Sequence, residues 1–247
     1  MNPIDEISIQ FELHSPDGIQ RCLSEGLSAN AIYKGKLLIY ELINMYTRSP
    51  RFKDCVMVLL NNGLVFEDKT LLAVLTDDAA SLNEILANHP EKINNRYSFQ
   101  CAYTPLHEAT LLHICAEYNH VACAQVLVNY GADVNAKAGM DEHGFGGQTP
   151  IFHTVNQNLN QSADMMNFLL DRSADLKITV PGFIWGRGYD WETFIPAVNP
   201  IGYAMMGLLP QVHRNEKTIA SVISLLTERA YGIKYQSANI PNAYLKK

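Results

Sequence analysis

Residues 110–136 read TLLHICAEYNHVACAQVLVNYGADVNA. A pair of apolar residues, Leu127-Val128, is followed three residues on by Gly131. The same event recurs along the chain at Cys22-Leu23, Leu59-Leu60, Ile85-Leu86, Leu169-Leu170 and Leu225-Leu226. Gly26, Gly63, Gly131 or Ser173 follows four of these pairs. The pattern is that of a helix stopped by a residue that tolerates left-handed backbone. Self-similarity of this kind marks a repeat architecture.

The 110–136 segment closely resembles the ankyrin repeat, whose pattern runs T-P-L-H-x-A-A-x-x-G-H and then V-V-x-x-L-L-x-x-G-A-D-V-N-A. Thr110, Leu112, His113, Cys115, Ala116, Asn119 and His120 fall on the first half. Leu127, Gly131, Ala132, Asp133, Val134 and Asn135 fall on the second, without a gap. Leu111 replaces the usual Pro and Asn119 the usual Gly. Residues 104–107 spell TPLH six residues earlier. Starting there would throw Gly131–Asn135 out of register, so they are assigned to the preceding loop. Leu127 and Leu169 lie 42 residues apart, about nine more than one repeat. The surplus falls in connections, where insertions are tolerated. A second copy begins at Thr149-Pro150, with Phe152 where the family has His, and a degenerate one begins at Asn199-Pro200.

The resemblance implies an all-α chain: an ankyrin-repeat solenoid of stacked helix-turn-helix pairs with extended loop or β-hairpin fingers. One domain is expected over 1–247. It comprises a half-repeat cap at 1–34, repeats at 35–68, 69–103, 104–140, 149–180 and 199–232, and a frayed tail at 233–247. Pairs of this length cannot bury their own apolar faces and must stack. Thr110, His113, His120, Gly131, Asp133, Asn135, Thr149 and Pro150 are expected to hold the repeat geometry, with His113 bonding inside its turn.

The 247 residues are 47% apolar, enough for a large core, and carry a net charge of −6. No basic concentration could track a phosphate backbone, which disfavours nucleic acid as a partner. Five Cys, an odd number with no C-x-x-C pair, argue against a disulfide framework or zinc ribbon and for a reducing cytoplasm. The first residues, MNPIDEISIQFELHS, lack the basic start and apolar run of a secretory signal. No apolar run reaches membrane-spanning length.

Catalytic and cofactor signatures are missing from the sequence. There is no G-x-S-x-G, no paired His at metal-ligand spacing, and the Gly-rich run 139–147 lacks a G-K-[ST] ending. No enzyme activity, metal or cofactor is therefore expected. The informative departure from the repeat is LKITVPGFIWGRGYDWETFIPAV at 176–198, read as a β-hairpin finger. It holds both Trp of the chain. These aromatics either recognise a partner or cover the last repeats. On the concave face, Asn44, Asp77, Glu117 and Asn156 align in one polar column and Asp78, Tyr118 and Gln157 in the next. The expected function is binding of a protein or peptide through the concave face and fingers. Expected contacts are Trp185, Arg187, Tyr189, Trp191, Asp141, Glu142, Phe145, Glu117 and Tyr118. The alternative is a small-ligand pocket beneath 182–194.

Overall fold

The computed structural model describes residues 3–209 and 214–236. Helices α1 (Pro3–Glu12) and α2 (Pro16–Ser24) open the chain. A short hairpin, β1 (Ile32–Tyr33) with β2 (Lys36–Leu37), leads into α3 (Ile39–Asn44) and α4 (Phe52–Asn61). Then come α5 (Lys69–Leu75), α6 (Ala79–Asn88) and a second hairpin, β3 (Arg96–Phe99) with β4 (Leu106–Thr110). α7 (Leu111–Tyr118) and α8 (Val121–Asn129) follow, and α9 (Ala163–Leu170) comes next. A third hairpin joins β5 (Val180–Trp185) to β6 (Thr193–Val198), and α10 (Pro200–Met205) and α11 (Glu216–Tyr231) close the described chain.

The all-α expectation does not hold. Among the described residues, three two-stranded antiparallel sheets stand between the helices, making the architecture mixed α and β. The reason is local. The connections are long enough for two extended runs, and those runs are rich in aromatic and β-branched residues such as Tyr97, Phe99, Val180, Ile184, Phe194 and Val198, which suit a pleated surface. Residues 106–107, expected in a loop, open strand β4.

Consecutive helices nevertheless stack in series. α2 packs on α4, α6 on α8 and α8 on α9, while α5 packs on α7. Leu59, Leu86, Leu127 and Leu169, from four different helices, are fully buried along this stack. Each such burial contributes about 2 kcal/mol. Helix ends repeat as well. The amides of Gly26, Gly63, Gly131 and Ser173 each reach back to a carbonyl three residues earlier, and the next amide reaches five back. All four residues have positive φ, between 63° and 105°. This is the double closure of a Schellman end.

Asparagines tie one unit to the next in the same way twice. Asn30 accepts from the Val65 amide at 2.8 Å and donates to Gly63 O at 2.7 Å. Asn135 accepts from the Asp175 amide at 2.7 Å and donates to Ser173 O at 3.3 Å. Asp77 and Asn119, both left-handed, each cap an amide 46 residues on, Cys123 and Met165.

Thr110 opens α7 with a reciprocal cap in which the His113 ring takes part. The Thr110 amide donates to His113 Nδ1 at 3.2 Å, and His113 Nε2 donates to Gln148 O at 2.9 Å. The matching position after Thr149 is Phe152, which has no acceptor to return. Thr149 Oγ1 has no partner among the described residues, and Pro150–His153 tightens into a 3-10 turn instead of an α-helix. The helix expected from Pro150 is thus reduced to one turn. Of the expected tail, 233–236 follow α11 without regular structure, and 237–247 lie outside the described residues, as does His213.

Candidate partner-binding groove

Side chains from the first two hairpins and the tip of the third converge on one open groove of about 840 Å³. Tyr33 comes from the β1–β2 hairpin and Tyr40 from α3. Tyr46 follows α3, and Tyr103 lies in the loop joining β3 to β4. Tyr189 and Trp191 come from the tip of the β5–β6 hairpin. Lys34, Lys36 and Glu41 supply charge at its edge, with Lys34 Nζ 3.4 Å from Glu41.

The third hairpin is held in place by its own chemistry. Trp185 is fully buried and its indole donates to Tyr203 Oη at 3.0 Å. Tyr203 Oη shares a second bond with Thr104 at 2.7 Å, and burial pushes the Tyr203 hydroxyl up from the usual tyrosine value. The Gly186 amide donates to Ala102 O at 2.6 Å, pinning the tip to the β3–β4 loop. Gly186 has φ 60°, and a Cβ there would lie 2.5 Å from the Trp191 ring. Trp191 therefore lies across bare backbone, stacked on Tyr189 at 5.5 Å and 5.7 Å from Tyr103. Arg187 pairs with Asp141 on the Gly-rich loop, whose Oδ1 also accepts from the His143 and Phe145 amides at 2.9 Å each.

The expected contacts separate into three groups. Tyr189, 52% exposed, and the half-buried Trp191 line the groove. Asp141, Glu142, Phe145 and Arg187 line a second hollow of about 490 Å³ beside the hairpin, which Tyr189 also borders, and Phe145 packs on Phe194 at 4.8 Å. Trp185, Glu117 and Tyr118 are buried, so the surface contact expected of them gives way to interior roles. Tyr118 stacks on Phe52 at 3.9 Å and donates to Ile43 O at 2.9 Å.

Glu117 is the centre of a buried ionic network instead of a rung on a solvated strip. Arg48 Nε donates to its Oε1 at 2.6 Å, and His153 Nδ1 to its Oε2 at 2.7 Å. Burial alone would raise the Glu117 carboxyl, but the Arg48 charge and the His153 bond hold it below the ordinary glutamate value. Arg48 also donates to Thr47 O at 2.8 Å, to Met45 O and towards Cys101 Sγ at 3.3 Å. The Cys101 thiol, pushed up to about 11 by burial and then by Glu117, is held protonated at neutral pH. The α3–α4 connection, helix α7 and the Pro150–His153 turn meet here through residues 48, 117 and 153.

Sequence reasoning missed Tyr33, Tyr40, Tyr46 and Tyr103, which supply most of the groove. The signal present was the placing of tyrosines at or near the connections. It missed the Glu117–His153 bond because the partners stand 36 residues apart. Among the described residues no group of three or more His, Cys, Asp or Glu is placed to hold a metal ion. No described helix is long and apolar enough to cross a membrane.

An ankyrin-repeat family model matches residues 103–138. Two curated relatives, the NF-kappa-B inhibitor cactus of Drosophila yakuba and that of Drosophila melanogaster, are each 36% identical over 67 residues. The matched stretch is 27% of this chain and 12% of each relative's length. Ankyrin repeats generally serve to bind other proteins. With that match on the segment that also carries the His113 cap and the Gly131 turn, residues 103–138 are an ankyrin repeat.

Proposed function

We propose that this protein is an interaction module that holds an extended segment of a protein partner in the ring-lined groove. The observation that carries the reading is the convergence of six aromatic side chains, five from four connections and one from α3, on one open cavity of about 840 Å³. Tyr and Trp give large, stiff contact area for little lost side-chain freedom, and they dominate binding hot spots. The groove rim is ready to be covered: Tyr46 and Tyr189 are both about half exposed, at 50% and 52%. The relatives are named as inhibitors of another protein, which is in keeping with a binding role. The same reading takes residues 1–247 as one cytoplasmic repeat domain that carries out no catalysis, with Arg187, Asp141, Glu142 and Phe145 as a secondary contact beside the hairpin.

The alternative of a metabolite pocket beneath 182–194 is less well supported. The space under Trp185 is about 20 Å³, room for one or two groups the size of water, which leaves the open hollow of about 490 Å³ beside Phe183, Ile184 and Arg187 as the place for such a ligand.

The reading is tested by selecting peptides on the full-length chain from a phage-displayed library. Selected peptides are expected to bind wild type and to weaken at least tenfold on the Tyr189→Ala/Trp191→Ala variant, with unchanged helical circular dichroism. Peptides that bind both proteins equally would move the site elsewhere.

A further inference from the structure

Behind Tyr46 and Tyr103, which also line the groove, lies the small well of about 20 Å³. Its wall is polar. Arg48 and Glu117 are paired there at 2.6 Å. Arg214 is not so paired. Its Nε donates to Asn156 O at 3.3 Å and its guanidinium stands 6.0 Å from the Tyr103 ring centre, but no carboxylate among the described residues forms an ion pair with it. Burial pulls Arg214 below the usual arginine value. The nearby Glu117 charge offsets that burial only in part, and a guanidinium removed from water without a paired counter-charge is costly.

Two further groups in the wall are unsatisfied. The fully buried His153 gives its Nδ1 to Glu117, and its Nε2 has no partner among the described residues. Asn156 Oδ1 has none either. The groups facing the His153 ring are Glu117, with Arg48 behind it, and the His113 ring at 5.6 Å. Gly207 keeps room for Arg214, since a Cβ there would meet Asn156 Oδ1 at 2.9 Å and Arg214 Cγ at 3.0 Å. Across groove and well, Lys34, Lys36, Arg48 and Arg214 face only Glu41 and Glu117. This lining is cationic on a chain whose net charge is −6.

We propose that the well receives the carboxylate of an Asp or Glu side chain carried by the peptide segment in the groove. The inference rests on the groove reading above. The apolar neighbours of that acidic residue lie against the tyrosines and Trp191, and its carboxylate passes between Tyr46 and Tyr103 to the Arg214 fork. A guanidinium offers a carboxylate two parallel N–H bonds. At about 20 Å³ the well admits at most the tip of a short side chain.

The probes are two blocked tripeptides, acetyl-Phe-Asp-Phe-amide and its Asn counterpart, titrated into the full-length chain with tryptophan fluorescence and indole NMR as readouts. Wild type is expected to bind the Asp peptide at least tenfold more tightly than the Asn peptide. Arg214→Gln should reduce that preference to within twofold, and Arg214→Lys should keep most of it, which separates lost charge from lost fold. Lys36→Gln, at the exposed rim, should change it less than threefold. Equal affinity of the two peptides, saturable binding by neither, or a preference that survives Arg214→Gln would overturn the proposal. Binding of 3-phenylpropionate as tight as that of the Asp peptide would overturn the peptide source. If library-selected peptides depend on Trp191 but show no Asp preference, the groove stands and the well falls. If the Asp preference survives Tyr189→Ala/Trp191→Ala, the well stands and the groove reading falls.

Discussion

His113 and Phe152 occupy matching places after Thr110 and Thr149, and the difference between them decides two local structures. His113 closes a reciprocal cap and bonds the next connection through Gln148 O. Phe152 cannot, and its turn collapses to 3-10 form. His113→Ala should therefore cost about 2–4 kcal/mol, a lost cap plus a buried hydrogen bond, as read by urea denaturation. Burial lowers the His113 imidazole to about 3 and the His14 imidazole to about 4. Both rings are neutral in the folded chain, while the unfolded chain takes up protons below about 6.5. Their contribution is therefore complete above pH 6.5 and is lost as pH falls from there towards 3–4. The thermal midpoint should begin to fall near pH 6.5, and less steeply in His113→Ala. A midpoint flat down to pH 5 would contradict this. Glu117, held low, adds a further loss only as pH falls below 4.5. Glu117→Gln leaves Arg48 buried without its counter-charge and should cost about 3–5 kcal/mol in the same urea assay.

Elements were legible in the sequence where a motif stood behind them. The turn residues Gly26, Gly63, Gly131 and Ser173 announce four helix ends because left-handed backbone restricts residue choice. The 176–198 insertion announces a hairpin through Gly and alternating aromatics. The β1–β2 and β3–β4 hairpins were not legible. Their strands are two to five residues long, too short for a period to show, and Thr104-Pro105-Leu106-His107 imitates a helix start. Trp185 and Trp191 sit six residues apart on one hairpin, and composition could not say which is buried. The Tyr203 hydroxyl, reached only in the fold, decides it. Gly186→Ala tests this element. A methyl group there would collide with the Trp191 ring at a backbone angle that favours glycine. The hairpin tip should be displaced, with Trp191 fluorescence shifted to the red and a stability loss of about 1–3 kcal/mol. An unchanged emission spectrum would show that Trp191 does not lie on Gly186.

At the scale of the molecule, the series of stacked helices sets the spacing of the connections, and the connections make the groove. The repeat could be read from 110–136 because one copy keeps the family pattern almost intact. The groove could not be read, because its rings lie up to about 160 positions apart, from Tyr33 to Trp191. A tyrosine is not informative in sequence until the stack brings it to a common wall. The two tryptophans offer a direct measurement of the central claim. In an NMR titration with a library-selected peptide, both indole N–H signals can be followed separately. The groove account predicts that the Trp191 signal moves with saturation matching the binding curve, while Trp185, bonded to Tyr203, moves less. A bound peptide that leaves Trp191 unmoved would contradict it.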